Sequence, residues 1–250
     1  MADKYHLIFV DWNHAIAWQG DVLDRFLQSI LPGREQGHIT MLDCSCGIGT
    51  QAIGLAQRGY QVTATDISPV SVERARQEAA ARGLKVNFGV ADFRSLEQTV
   101  SGVFDVVLSA DNAIPHLLTD EDYHAAASNL YSKVRDGGLV LITIRDYDEL
   151  TKAKPKATEP RVFDHGKRIV FQVWDWDDDG TTYETHHFIV QEIEGEWRTQ
   201  HHATRYRALL REELSRILTA AGFSDVEWHM PEQSGYYQPL VVARKKTAES

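Results

Sequence analysis

Cysteine is almost missing from this chain. Its 250 residues hold two, Cys44 and Cys46, with only Ser45 between them. A disulfide across one residue is strained, and two thiols at this spacing with no second pair make a poor zinc site. They read as small, reduced side chains in a tight turn, which suits a reducing compartment. Long apolar runs are also missing. The leading MADKYHLIFVDW offers only LIFV before Asp11, against the roughly 7–15 apolar residues of a secretory signal. Nothing approaches the roughly 18 expected of a membrane span. The expectation is a soluble, unexported, cytoplasmic protein without a membrane partner. Positive charge is in deficit as well: 26 basic residues face 36 acidic ones, for a net charge of −10. Phosphate backbones repel such a surface, so nucleic acid is a disfavoured substrate and a small amine or other compact metabolite suits the balance better. What remains is ordinary globular composition, 43% hydrophobic and 25% charged, over a length expected of one large domain or of one domain with an elaboration.

The pattern along the chain is a repeated strand–helix alternation. Residues 12–31 put Ile16, Leu23, Phe26, Leu27 and Ile30 on one helical face, and Pro32-Gly33 ends that segment. Strands are then expected at 39–44, 60–66, 84–92 and 104–110, with helices at 50–59, 69–83 and 120–134 between them. Ser68 is placed to cap the second of these helices, with Pro69 at its first position. Gly137-Gly138 turns into the apolar strand LVLITIR at 139–145. Such alternation requires parallel pairing through crossover connections, hence an α/β, Rossmann-like, doubly wound sheet. The rhythm breaks at the polar, Pro-containing stretch 152–160. Three strands follow at 168–176, 182–193 and 197–209, separated by Asp-Asp-Asp-Gly and Glu-Gly-Glu, which are hairpin signals. They read as antiparallel strands inserted into the α/β domain. A helix at 210–221 and strands near 225–230 and 236–244 complete the chain.

The loop MLDCSCGIGT (41–50) is the strongest chemical signal. A strand ends in Asp43, and Gly47 and Gly49 follow just before a helix, where the backbone must turn sharply and a ligand must approach without a Cβ in the way. The next acid at a strand end, Asp66, lies 19 positions after Gly47, a spacing suited to a ribose. Gly47 to Ala52 also satisfies a loose dinucleotide fingerprint, so a dehydrogenase is the rival reading. Two features weigh against it. Asp43 sits where a dinucleotide brings its pyrophosphate, and a carboxylate repels that anion; S-adenosylmethionine carries an amine and a sulfonium instead, which an acidic site favours. Asp92 after the third strand, with Phe93 beside it, is placed to meet an adenine amino group while the ring packs on the purine.

Taken in order, DCSCGIGT, TATDIS, VADFRS, FDVVLSADNAIPHL and RDGGLVLITIRDYD resemble the successive motifs of class I S-adenosylmethionine-dependent methyltransferases. IRDYD (144–148) and YHLIFVDW (5–12) are similar to glycine and sarcosine N-methyltransferases. The resemblance implies a seven-stranded sheet whose last strand is antiparallel, with the methyl donor across the ends of the first strands. On it, the chain is one methyltransferase domain over 1–250. Within that domain, 1–32 would be an N-terminal helical lid, 39–150 the donor-binding core, 155–209 an inserted cap and 210–246 the rest of the core.

The candidate donor-binding residues are Trp12, Asp43, Cys46, Gly47, Gly49, Asp66, Ile67, Asp92, Phe93, Ser109 and Asn112. Ser109, Asp111 and Asn112 follow the fourth strand, at the edge where open α/β sheets place ligands. The resemblance singles out Asn112 for the donor's amino-acid end. Tyr5, Trp12 and Trp18 would form an aromatic lid over the sulfonium. The glycine-type arginine for the donor's carboxylate has no counterpart here: Trp18 occupies that region and Arg25 lies further on. For the acceptor the candidates are Arg145, Tyr147 and Tyr206. The resemblance gives Arg145 the acceptor's carboxylate, and a salt bridge to Asp146, Asp148 or Glu149 is the competing role. Tyr236 and Tyr237 are expected to open the last strand within reach of the pocket. If Glu194-Gly195 is a two-residue turn, paired positions sum to 389 and His187 faces His202. No third ligand is evident, so the lining of a substrate cavity or a solvated sheet face, rather than metal, is expected. Trp174, Trp176 and Trp197 read as packing for the inserted strands. The expected activity is methyl transfer to the amine of a small carboxylate-bearing molecule. An O-methyltransferase and a non-catalytic donor-binding protein are the alternatives.

Overall fold

A computed structural model describes residues 4–247. Asp11 caps α1 (Trp12–Ile30), its carboxylate accepting from the Asn13 and His14 amides. Then come β1 (Thr40–Asp43), α2 (Thr50–Ala56), β2 (Gln61–Asp66), α3 (Pro69–Ala81), β3 (Asn87–Val90), α4 (Leu96–Thr99), β4 (Phe104–Ser109), α5 (Asp120–Lys133) and β5 (Val134–Thr143). Ser68 caps α3 with Pro69 at its start, as its sequence requires. After α6 (Tyr147–Ala153) the inserted part holds β6 (Arg161–Phe163), β7 (Arg168–Trp176), β8 (Thr182–Ile193) and β9 (Glu196–Arg207). The chain closes with α7 (Arg211–Ala220), β10 (Ser224–His229), α8 (Pro231–Ser234) and β11 (Leu240–Arg244).

Seven strands form one sheet in the order β10-β11-β5-β4-β1-β2-β3. β1 to β5 pair in parallel, and β11 lies antiparallel between β5 and β10. All six residues of β4 are buried, which is why the central strands read as unbroken apolar runs rather than alternating ones. Because β1 pairs with β2 on one side and β4 on the other, the sheet's topological switch falls at the end of β1, the place where such sheets leave a crevice.

The second sheet has four antiparallel strands, β6-β7-β8-β9, with β9 at its edge. Glu194 and Gly195 both have positive φ, 55° and 83°, the geometry of a two-residue hairpin turn, and His187 faces His202. β6 and α6 are additions to the expected elements. Both are short, and β6 pairs over only three positions, Arg161–Phe163 with Arg168–Val170. Trp174, Tyr183 and Tyr206 on the inner face of this sheet belong to the same core as Leu42 and Val107 of the main sheet. The two sheets therefore share one apolar interior. Trp197 departs from its expected packing role: it is 54% exposed, on the outer part of the edge strand. Among the described residues no helix is long and apolar enough to cross a membrane.

α1 and α2 meet through a pair of glycines. A Cβ on Gly54 would stand 2.6 Å from the Ile16 carbonyl oxygen and 3.0 Å from the Gly20 Cα. Backbone cannot yield as a side chain can. Gly54→Ala is expected to destabilise the protein by about 1–3 kcal/mol, the usual cost of overpacking. Thermal denaturation checks this, and an unchanged midpoint would mean that the helices separate freely.

Candidate active site

The loop after β1 and the end of β2 are tied by a carboxylate. Asp66 accepts from the Gly47 amide at 2.8 Å and from the Ser68 amide at 2.9 Å. Burial raises its pKa, and those two amides work against the rise. Gly47 has φ +53° and open space where a Cβ would project, so the loop presents bare backbone. Gly49, at φ +96°, serves packing instead: a Cβ there would crowd Ile53 and Ala75.

A cavity of about 800 Å³ opens at these strand ends. Of the expected donor residues, Cys46, Gly47, Asp66, Ile67, Asp92 and Phe93 line it, together with Tyr5. The structure places the others behind its wall. Trp12 is buried, donates through Nε1 to the Thr50 hydroxyl at 2.9 Å, and lies against the guanidinium groups of Arg74 and Arg82. Trp18 stacks on Tyr236 and meets Tyr237 at a tilt, and both tyrosines precede β11 rather than open it. Ser109 meets the Ser45 hydroxyl at 3.0 Å. Asp43 is 2% exposed; one oxygen accepts from the Ser45 amide, and the other has no hydrogen-bond partner among the described residues. Burial, joined by the charges of Asp66 and Asp111, pushes its pKa up to about 8.

Other wall residues carried weaker sequence signals. Arg94 chelates Asp92 through Nε and Nη2 and reaches Asp122 at 2.8 Å. This arginine lowers the Asp92 pKa and occupies much of the carboxylate that the sequence assigns to adenine. Gln51, Asp111 and His116 complete the wall toward β4. Only the Asp-x-Arg spacing hinted at Arg94; nothing in the sequence distinguished Gln51 or His116.

Arg145, Tyr147 and Tyr206 come together one layer beyond the cavity. The Arg145 guanidinium lies between the faces of Trp174 and Tyr206, 4.8 and 5.1 Å from their centroids, and donates to the Tyr183 hydroxyl at 2.8 Å. Tyr147 is fully buried, with its hydroxyl 2.9 Å from that of Tyr183. The Asn112 side-chain oxygen accepts from the Tyr147 hydroxyl and the Arg145 amide, both at 3.0 Å. Asn112 thus supports the acceptor-side cluster rather than lining the donor cavity. The competing salt bridge does not form. Asp146 and Asp148 are held by Arg211, and Glu149 by Lys152. His116 connects the two layers: its ring stands in the cavity wall, 4.3 Å from that of Tyr206. Burial, then the Arg145 charge, lowers its pKa to about 4, so it is neutral at physiological pH.

His187 is likewise pushed down to about 4 by burial and then by Arg145, and its Nδ1 is buried with no hydrogen-bond partner among the described residues. His186 joins Asp175 and His201, each at 3.0 Å, on the other sheet face. Among the described residues no group of three or more His, Cys, Asp or Glu is arranged to hold a metal.

The antiparallel last strand and the second, antiparallel sheet agree with the architecture expected from the sequence. Residues 41–138 match the family model described as methyltransferase domain. A glycine/sarcosine N-methyltransferase of Parasynechococcus marenigrum (strain WH8102) is 30% identical over 141 residues, 56% of this chain and 48% of that one. A glycine/sarcosine N-methyltransferase of Aphanothece halophytica is 24% identical over 229 residues, covering 91% and 82%. The chain spans about half the length of several of the curated relatives it matches. An S-adenosylmethionine-dependent methyltransferase from Clostridium acetobutylicum ATCC 824 superposes with a TM-score of 0.74 over 98% of this chain and 96% of that one, at 14% identity. Residues 41–138 thus match a methyltransferase domain, set in a fold shared with a solved S-adenosylmethionine-dependent methyltransferase. The site fits the donor of that class: bare backbone at Gly47, an acid at the end of β2, and an aromatic side chain at Phe93 all face one cavity.

The buried Asp43 carboxyl has a consequence for stability. Its folded pKa lies near 8 against an ordinary 3.8, so between these values the folded state holds a proton that the unfolded state has lost. Its contribution is fully present below about pH 4 and is lost as pH rises through about 8. Asp43→Asn should flatten that decline, gaining on the parent protein as pH rises from 5 to 9. Denaturant unfolding across this range checks it, and parallel stability curves would show that Asp43 keeps an ordinary titration.

Proposed function

We propose that the protein transfers a methyl group from S-adenosylmethionine to the amine of a small molecule that also bears a carboxylate. The observation that carries this reading is Arg145. A guanidinium stays charged at any physiological pH, and here it is set among aromatic rings while every nearby carboxylate of its own loop is held by another cation. Such a group is a ready bidentate partner for an incoming carboxylate. The names of the glycine and sarcosine N-methyltransferase relatives agree with an acceptor of this kind.

Bound in the cavity, the donor supplies a methyl carbon activated by a positive sulfonium. The chain's task is to bring a nitrogen lone pair behind that carbon and to exclude water. Asp66 would hold the ribose hydroxyls, and Phe93 the face of the adenine. Tyr5 lies where the two halves meet: its hydroxyl is driven up by burial and then by Asp111, with Tyr206, Arg145 and Asp66 also near. It would close over the reacting atoms. In this reading Tyr5 supplies the lid of the leading segment, 39–150 hold the donor, 155–209 cap the acceptor, and 210–246 complete the core. His116, neutral and beside Tyr206, keeps a repelling positive charge away from the sulfonium.

Calorimetry should show binding of S-adenosylmethionine and S-adenosylhomocysteine and little affinity for NAD; NAD binding alone would overturn the reading. Asp66→Ala should weaken donor binding by about 1.5–3 kcal/mol, the scale of hydrogen bonds to a charged group. On the acceptor side, Arg145→Lys keeps the charge but loses the planar fork. It should raise the KM of the acceptor and leave donor affinity unchanged. Arg145→Ala should do so more strongly, by about 2–4 kcal/mol. Normal methylation by both variants would make Arg145 structural and favour a neutral or hydroxyl acceptor.

A further inference from the structure

β7 is apolar on both of its faces. Successive residues of a strand point to opposite sides. In RIVFQVWDW (168–176), Val170 and Trp174 are buried in the interior, while Ile169, Phe171 and Val173 alternate with them and point outward. A strand with one solvated face alternates apolar with polar residues, and one that is apolar throughout is suited to cover on both sides. Among the described residues only the inner side is covered. Val162 of β6 pairs with Ile169, and Val190 and Phe188 of β8 pair with Ile169 and Phe171, which makes one continuous outer patch. The rings of Phe171 and Phe188 stack at 5.0 Å, and Phe188 stacks in turn on His201 of β9 at 4.8 Å. Val162 is 60% exposed, and none of these outward apolar residues belongs to an interior cluster among the described residues.

The polar groups of this face already pair with one another. His186 meets Asp175 and His201 at 3.0 Å each and Glu184 at 3.4 Å, so covering the patch strands no lone polar group among them. The face is also large. With strands about 4.8 Å apart and a rise of about 3.4 Å per residue, four strands over the rows from Lys167 to Asp175 span roughly 19 by 27 Å. Two such faces bury roughly 1,000 Å² in projection, and side-chain relief adds to that, which reaches the size of a specific interface. Its charges are arranged by strand. Asp175 on β7 and Arg205 on β9 share one row, with Glu184 of β8 between them. A twofold axis along β8 exchanges β7 for β9. It sets Asp175 of each copy opposite Arg205 of the other, and Phe188 against its own counterpart. Arg205 holds Asp177 and Thr182 through Nη2 alone, which leaves the rest of its fork for a second carboxylate.

We propose that the outer face of the inserted sheet is a dimerisation surface, covered by the same face of a second copy of this chain about a twofold axis along β8. Sheets packed face to face lie about 10 Å apart with their side chains interdigitated. A second copy fits better than an unrelated protein because the apolar patch is central and the charges beside it complement themselves under that rotation. The pairing reaches the site from behind. The same strands carry Trp174, Tyr183 and Tyr206 on their inner side, around the Arg145 guanidinium, so the second copy braces the cap that holds it.

Sedimentation velocity of the full chain reads the assembly directly. At about 10 μM, where interfaces of standard size are populated, the parent protein should sediment at twice the 28.3 kDa of one chain. Phe188→Glu places two like charges on the axis, and Asp175→Arg sets an arginine against Arg205. Each should weaken the dimer by about tenfold or more, because like charges brought together across an interface repel. Asp175→Arg combined with Arg205→Asp exchanges the two signs and should restore pairing, whereas a structural role for either side chain would leave the double variant at least as weak as the single one. Circular dichroism separates loss of pairing from loss of fold. A monomeric parent protein would overturn the proposal and leave the face to a different partner. A dimer that survives Phe188→Glu unchanged is held elsewhere and overturns it equally. Failure of the double exchange to restore pairing would overturn the axis along β8.

Discussion

Two hydrogen bonds converge on one side-chain oxygen of Asn112, and through them the two halves of the molecule become one site. The Arg145 amide fixes the end of β5, and the Tyr147 hydroxyl passes the connection to Tyr183 in the inserted sheet. The donor-side loop, the last parallel strand and the cap are thereby indexed to a common point. All three groups are buried or nearly so, where a hydrogen bond left unmade is costly. The cap cannot shift along the sheet without breaking this chain, so the separation between donor cavity and Arg145 is set by bonded geometry rather than by surface contact.

Around that point the charges are divided. Asp66 and Asp111 lie on the donor side, near enough for their charges to help keep the buried Asp43 protonated. Arg145 lies on the other side, where its charge adds to burial in lowering the basicity of His116 and His187. Cationic chemistry is thus favoured at one end and anionic recognition at the other, with neutral imidazole and phenol between them. Aromatic stacking supports the positive end: Tyr183 lies within 5.5 Å of the ring centres of Trp174, Trp176 and Tyr206. These rings accept a guanidinium on their faces without cancelling its charge.

The fold was legible because its signals are local. Apolar runs mark β1 to β5, glycines mark the turns, and the Glu194-Gly195 turn fixes the register of a long hairpin by arithmetic alone. What lay outside reading is long-range. β6 holds its place through three paired positions and carries no pattern of its own. Arg94 gains its meaning only when α5 brings Asp122 to it. Trp12 looked like a lid because of its aromaticity and its place near the start, but the bond to Thr50 and two flanking arginines make it a wedge between helices. Asn112 and Arg145 were both found by position in the chain, yet their cooperation depends on a side-chain oxygen turned away from the donor. Sequence distance hides that kind of contact.

The outer edge of the small sheet has its own logic. β9 spans Glu196–Arg207 and has no partner strand on its far side among the described residues. A long unpaired edge is a template for association with another copy of itself. Centred antiparallel pairing of two such edges would set Arg198 opposite Arg205, twice over, and like charges facing each other across strands repel. The only opposed pair of unlike sign would be Glu196 with Arg207, and that arginine is already bound within its own chain to Asp120 and Glu213. Arg198 and Arg205 are likewise engaged within their own chain, by Glu196 and Asp177, so pairing in that register would bring no gain in opposed charge.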